Sequence, residues 1–438
     1  MRNVFRKYAY ALVFLTSNAL LQAQDTLVLQ PIDCERRFIQ ENRTILLEQL
    51  NIEIAKAQEQ QSKLWENPNL SIQDINFWAG RRNVELFGDG LPALFGKKFG
   101  KNQQFAIEIE QLIYTGKKRR KRMQVANLAT QQTEISTLLV IRDLKLDFRY
   151  LLIDLIHQHK AQEIYSNQIN SLQQLISAYE NQQLKGNVTK AEVMRLKAHA
   201  LELNKIIHNY NLTIKGIEHQ IKTLIHISSQ TPVRIDYSAM NLNNILQTAL
   251  PDLAQLIDTA FNYRSEFKAM SLQEDYFKAV EDYEKAQRIP DIKINGVYDR
   301  GSNFMLNFIG FGVSMDLPIW NRNQGNIAAA QIERKKASTQ EQQVRLQIEN
   351  EIANAYEQFI ATKNFLKDIN VDYEIEMDKL LEAYTKNFSN RNMSLLEYLD
   401  FLDTYIENKL LVQETLKDLA QKAADLNHAI GKDFISFE

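Results

Sequence analysis

Apolar positions along this chain repeat at two periods, and the changes of period divide it. Leu144, Phe148, Leu151 and Leu155 step by 4-3-4, Ile214, Ile217, Ile221 and Leu224 by 3-4-3, and Ile348, Ile352, Ala355 and Phe359 by 4-3-4. Such steps are the seams of helices packed as coiled coils. From Ile309 to Leu317 the period falls to two. Ile309, Phe311, Val313, Met315 and Leu317 alternate with Gly310, Gly312, Ser314 and Asp316. Phe105, Ile107 and Ile109 against Glu108 and Glu110 repeat that alternation. It predicts strands with one apolar face and one small or polar face.

Helix breakers sharpen the division. The chain has 438 residues and 7 prolines, with none between Pro92 and Pro232 and none after Pro318. Proline costs about 3 kcal/mol inside a helix, so these gaps admit very long helices. Thr115 to Lys185 would run about 105 Å at 1.5 Å per residue. Most of the 14 glycines fall between Gly80 and Gly116 or between Gly296 and Gly325. The order is therefore long helix, extended hairpin, long helix, and then the same again.

That order is an internal duplication. Pro68 matches Pro290 at an offset of 222, and Arg43-Thr44 matches Arg264-Ser265 at 221. After the hairpins, Leu112-Ile113-Tyr114 matches Pro318-Ile319-Trp320 at 206. Tyr179, Asn187, Glu192 and Glu202 match Tyr384, Asn392, Glu397 and Glu407 at 205. An insertion of roughly sixteen residues within Gly80 to Lys101 accounts for the shift of register, and its length suits the outward loop of a barrel hairpin. The first repeat takes residues 24–227, with a hairpin at about 69–114, a long helix at 115–185 and a return helix at 188–227. A connector covers 228–250. The second repeat takes 251–438, with a hairpin at about 291–319, a long helix at 322–389 and a return helix at 394–431.

Composition narrows the setting. Arg2, Arg6 and Lys7 precede a largely apolar Tyr8–Leu21, and Leu21-Gln22-Ala23 resembles a cleavage site, so residues 1–23 read as a signal peptide. No later stretch reaches the roughly 18 apolar residues of a spanning helix. Any membrane entry is therefore by strands, with Trp78, Tyr114, Tyr298 and Trp320 as interfacial aromatics. Cys34, the one cysteine, excludes an intrachain disulfide and reads as a small core or surface residue. A net charge of −2 gives no bulk attraction to nucleic acid. Two hairpins supply four strands, and a four-stranded sheet with open edges cannot sit in lipid alone. Bacterial barrels need at least eight, so several copies must share one barrel.

The run Asn67-Pro68-Asn69-Leu70, Leu112-Ile113-Tyr114-Thr115-Gly116-Lys117 and Leu184-Lys185-Gly186-Asn187-Val188-Thr189 resembles the TolC family of outer-membrane efflux ducts. Pro318-Ile319-Trp320-Asn321-Arg322-Asn323-Gln324-Gly325 repeats it. The resemblance implies a mainly α fold in which duplicated helical hairpins form an α-barrel. Four strands per chain would enter a trimeric twelve-stranded β-barrel. It implies a homotrimer in the outer membrane that extends into the periplasm and joins a periplasmic adaptor (membrane fusion protein) and an inner-membrane pump of the RND or another type. The expected function is passive export of small molecules or metal ions, with no cofactor and no enzymatic activity. Trp65 to Leu70 is particularly similar to members paired with heavy-metal RND pumps. A non-pore periplasmic coiled coil or adaptor is the alternative, and the alternating hairpins argue against it.

Candidate sites follow. The helix–helix turns Lys185, Gly186, Asn187, Val188, Thr189 and Arg391, Asn392, Met393, Ser394 correspond to the adaptor-contacting tips. Glycine suits the first reversal. The second, Asn390-Arg391-Asn392, lacks it and relies on asparagine's tolerance of left-handed backbone. Glu397 and Asp400, at i and i+3, correspond to a pair of pore-facing acids that threefold symmetry would stack into two rings. Met393 stands where some relatives carry an arginine. Six successive cations, Lys117, Lys118, Arg119, Arg120, Lys121 and Arg122, would lie at the height of anionic headgroups; solvated turn residues are the plainer reading. His199, His208, His219 and His226 are spaced too widely to chelate one metal and read as surface histidines. No motif for catalysis is present.

Overall fold

The computed structural model describes residues 26–76, 104–237, 243–301, 306–369 and 371–437. The signal segment 1–23, Trp78 and the insertion within Gly80 to Lys101 lie outside the described residues. Strand β1 is Leu27–Leu29, followed by helices α1 Pro31–Glu41 and α2 Arg43–Ser62. Strands β2 Asn69–Asn76 and β3 Gln104–Ile113 lead into α3 Lys118–Leu184 and α4 Lys190–Leu224. Strand β4 Val233–Ile235 and the short helix α5 Asn243–Gln247 precede α6 Leu253–Tyr263 and α7 Ser265–Gln287. Strands β5 Ile292–Gly301 and β6 Leu306–Met315 are followed by α8 Gln324–Asp368, α9 Val371–Ser389 and α10 Leu395–Ile430. No helix among the described residues is long and apolar enough to cross a membrane.

The repeats do not map onto the two structural units. One unit takes Met1–Glu48, Leu138–Arg264 and Leu346–Glu438; the other takes Gln49–Thr137 and Ser265–Arg345. Each draws on both repeats.

The second unit carries a four-stranded antiparallel sheet in the order β2-β3-β5-β6. Its register puts Leu70, Ile109, Gly296 and Phe311 in one row and Ile72, Ile107, Tyr298 and Ile309 in another. Both rows share the apolar face. The other face holds the row Ser71, Glu108, Val297, Gly310 and the row Asn69, Glu110, Asn295, Gly312. There Asn295 donates to Glu108 at 2.6 Å, and Lys293 pairs with Glu110 at 3.5 Å. Among the described residues nothing covers the apolar face, with Phe311 88% exposed. At the base of the sheet the buried Lys118 ammonium meets Asp291 at 2.8 Å, and the Thr115 amide donates to the same carboxylate at 2.9 Å.

The first unit is built on the helical seams. Phe148, Leu155, Ile214, Ile217, Ile221, Ile348, Ile352, Ala355 and Phe359 are all buried, as their spacing predicts. The parallel pair β1–β4 brings Leu29 and Ile235 into one core cluster. Phe38 stacks on Phe148 there at 4.4 Å, beside a fully buried Cys34. Burial, with Asp33 adding to it, pushes the Cys34 thiol up to about 12 against the opposing pull of Arg37, so it stays a thiol. Arg149 forks onto Glu35 at 2.9 and 3.0 Å and onto Asp433 at 2.6 and 2.7 Å, and Lys145 bridges the same two acids. This cluster fixes the C-terminal tail together with Asn427, whose Oδ1 accepts from the amides of Phe434 and Ile435.

One expected helix is divided: the long helix expected over 322–389 is split into α8 and α9. Between α6 and α7 the chain breaks at Arg264. The break between α1 and α2 falls at Asn42, 222 residues before Arg264, which is the proline offset. The structural partner of Arg264 is therefore Asn42. The identity at offset 221 misassigns it. Both residues are buried, and both reach the end of a return helix. Asn42 donates to the Leu224 carbonyl at 3.0 Å, and Arg264 to the Ala429 carbonyl at 3.1 Å. Those carbonyls lie 205 residues apart, the offset of the second register. Left-handed backbone is also duplicated: Lys117 with Asn323, Gly186 with Arg391, and His226 with Gly431.

Candidate functional site

The two helix–helix turns share one construction. In the first, Gly186 takes φ +76°, the Asn187 amide returns to the Gln182 carbonyl at 2.9 Å, and the Gly186 amide to Gln183 at 2.9 Å. This closure satisfies the last carbonyls of α3. Thr189 then caps α4. Its Oγ1 accepts from the Glu192 amide at 3.3 Å, while Glu192 Oε2 accepts from the Thr189 amide and hydroxyl at 2.8 and 2.6 Å.

In the second turn Arg391, at φ +62°, is the left-handed residue. The expectation that a neighbouring asparagine would supply this conformation is corrected. Arginine bears the Cβ cost that glycine avoids. The Asn392 amide returns to Asn387 at 2.9 Å. Ser394 accepts from the Glu397 amide at 3.2 Å, and Glu397 Oε2 accepts from the Ser394 amide and hydroxyl at 2.9 and 2.8 Å. Both turns are thus capping boxes, each satisfying helix-start amides that would otherwise lack partners.

Glu397 therefore has a local task that Glu192 shares. Backbone and side-chain hydrogen bonds from Ser394 hold its carboxyl below the usual carboxylate range. Asp400, one turn on, is exposed and sits where the first repeat has Arg195. Among the tip residues Val188 and Met393 are half-buried; Lys185, Gly186, Asn187, Thr189, Arg391, Asn392 and Ser394 are exposed. Behind the tips, Phe388 is stacked between Tyr179 at 5.1 Å and Tyr398 at 4.6 Å, joining α3, α9 and α10. Sequence reading singled out Tyr179 only as a repeat marker. Its stacking could not be read without knowing which helix faces it.

The basic run is largely used within its own unit. Arg119 donates to the Lys63 carbonyl and lies over Trp65 at 4.6 Å. Arg122 donates to the Ser62 and Leu64 carbonyls at 3.2 and 3.1 Å and pairs with Glu66 at 3.1 Å. Glu66 also accepts from Tyr114 at 2.7 Å. These arginines finish the C-terminus of α2, where cations suit the helix dipole. Lys118 holds Asp291, and Lys121 donates to the Asp282 carbonyl at 2.7 Å. Lys117 and Arg120 remain exposed. The expectation of surface histidines is met at His208, His219 and His226; His199 is corrected, with its side chain only 11% exposed.

Among the described residues, an antiparallel sheet with one apolar, exposed face is joined in sequence to duplicated helical hairpins. The chain superposes on CusC, whose structures concern transmembrane channel formation, with TM-score 0.71 and 14% identity over 92% of each chain. It superposes on the outer membrane protein VceC of Vibrio cholerae with TM-score 0.70 and 13% identity, covering 92% of this chain and 97% of that one. The Campylobacter jejuni outer membrane channel CmeC gives TM-score 0.68 and 12% identity, over 92% and 86%. No known family profile and no curated protein matches. The chain has the fold of the TolC-like outer-membrane channels.

Proposed function

We propose that this protein is the outer-membrane duct of a tripartite export system, passing small molecules or metal ions passively from the periplasm outward. The observation that carries the reading is the sheet. One face is apolar and exposed across all four strands, the other bears Glu108, Glu110, Lys293 and Asn295, and β2 and β6 present unpaired edges among the described residues. Water disfavours the first face and lipid disfavours open edges. Lipid accepts the apolar face, and pairing β6 of one copy with β2 of the next closes the edges. Three copies give twelve strands around a water-filled, charged lumen.

In this reading the turns Lys185–Thr189 and Arg391–Ser394 meet a periplasmic adaptor coupled to an inner-membrane pump. Glu397 and Asp400 ring the periplasmic opening. The capping bonds engage Oε2 of Glu397, so Asp400 carries the less encumbered charge. Lys117 and Arg120 face the headgroups. The test is extraction from outer membranes in mild detergent, followed by mass measurement and planar-bilayer recording. A particle of three chain masses that conducts ions is expected; a soluble monomer without conductance overturns the reading.

A further inference from the structure

Strand β6 carries two glycines on the charged face of the sheet, and each is covered by another side chain. Phe308 folds down over Gly310, where an added Cβ would lie 2.7 Å from the ring's Cε1. Asn295 lies over Gly312 and donates to Glu108 at 2.6 Å. Phe308 alternates with Ile309 and so shares the face of Glu108 and Glu110. It is the one aromatic ring on that face among the described residues of the four strands, and it is 39% exposed. Asp299 is its cross-strand partner. Glu108 lies one row along and two strands over, in register with Val297 and Gly310, about 10 Å away at the usual strand spacing. Glu110 has Lys293 beside it. Glu108 and Asp299 take their bonds from neutral donors, the Asn295 side chain and the Gly301 amide, the latter at 2.9 Å. These bonds leave both negative charges standing beside the ring.

We propose that Phe308, Asp299 and Glu108 form a shelf for organic cations of the quaternary ammonium type, whose charge is wrapped in apolar groups. Such a cation has no N–H to donate and is weakly hydrated, so an aromatic face and nearby carboxylates suit it together. A hydrated divalent metal ion keeps its waters and gains nothing from the ring. A neutral apolar molecule would crowd two carboxylates without offsetting their charge. Gly310 is what allows the arrangement, because any side chain there would lift the ring off the sheet. The shelf belongs to the sheet of one chain. Its placement around a shared lumen, where it would select lipophilic cations among the cargo, rests on the duct reading.

Two measurements on the full-length protein separate the shelf from the duct. Calorimetric titration in detergent reports binding of tetrapentylammonium, and planar-bilayer recording reports block of ion flow by the same ion. Phe308→Leu, apolar and of similar bulk, should weaken tetrapentylammonium binding on the order of tenfold, the scale of one cation–ring contact. Phe308→Trp should bind as well as wild type or better, since indole is the strongest partner for a cation. Gly310→Val, which keeps the ring but takes its bed, should weaken binding as Phe308→Leu does. Block should follow the same order, whereas block by magnesium ion should not distinguish Phe308→Leu from wild type. Equal tetrapentylammonium affinity in wild type and Phe308→Leu overturns the shelf, whatever the conductance shows. Loss in Phe308→Trp as severe as in Phe308→Leu overturns it too. Ring-dependent binding by a protein that conducts nothing supports the shelf and removes the duct reading instead.

Discussion

Replacing Phe311 by arginine puts the two-faced sheet under direct strain. Phe311 is the sixth of ten residues in β6, 88% exposed, in the row it shares with Leu70, Ile109 and Gly296. A cation near the middle of a lipid-facing strand costs about 2–4 kcal/mol. Losing the phenylalanine's contact with the surrounding lipid in the proposed barrel adds about 2 kcal/mol. In the proposed trimer three copies multiply both, for a total of roughly 12–18 kcal/mol if the sites act independently. That rivals the whole stability of an ordinary domain. The control is Ser71→Arg, on the opposite face beside Glu108, where a cross-strand pair of opposite charges contributes about 0.2–1 kcal/mol. The assay is the share of expressed protein that enters the outer membrane and survives as a trimer on mild electrophoresis. Phe311→Arg should fall to a small fraction of wild type while Ser71→Arg stays close to it. Equal insertion of the two variants would falsify the assignment of the faces.

Asn42→Ala should destabilise the first unit by about 2–4 kcal/mol, since it removes the cap on the Thr44 and Ile45 amides and strands the Leu224 carbonyl; faster hydrogen exchange across α1 and the start of α2 would show it. Asp400→Asn should remove most cation selectivity and multivalent-cation block in bilayers, whereas Glu397→Gln, which can still cap, should remove less; equal loss in the two refutes the division of labour. Burial opposes ionisation of Asp433, but hydrogen bonds and charge from Arg149 and Lys145 win and bring its carboxyl to about 2, below an ordinary 3.8. A depressed carboxyl stabilises the fold above its unfolded value and loses that contribution as pH falls through the folded one. Ordering of the tail 431–437, followed by hydrogen exchange, should therefore persist to about pH 4 and decay towards pH 2, with Asp433→Asn showing a weakened tail already at neutral pH.

The sequence by itself determined the local periods and their order. Heptads at Leu144–Leu155, Ile214–Leu224 and Ile348–Phe359, alternation at Ile309–Leu317, and the spacing of prolines suffice to give long helices, two hairpins and a duplication. Each is a property of neighbours within a few residues. The capping boxes at Thr189 and Ser394 were equally local, and their Glu at the third helical position was visible in the string. Tertiary structure alone decided which helices face one another. That pairing buried His199 beside Asp403, slid Phe388 between Tyr179 and Tyr398, and turned Arg119 and Arg122 back onto the end of α2. It also matched Asn42 with Arg264, residues of unlike chemistry whose equivalence lies in the carbonyl each one satisfies. A one-dimensional pattern records how often a side chain turns to one face. It does not record what waits there, because those partners lie tens to hundreds of residues away along the chain.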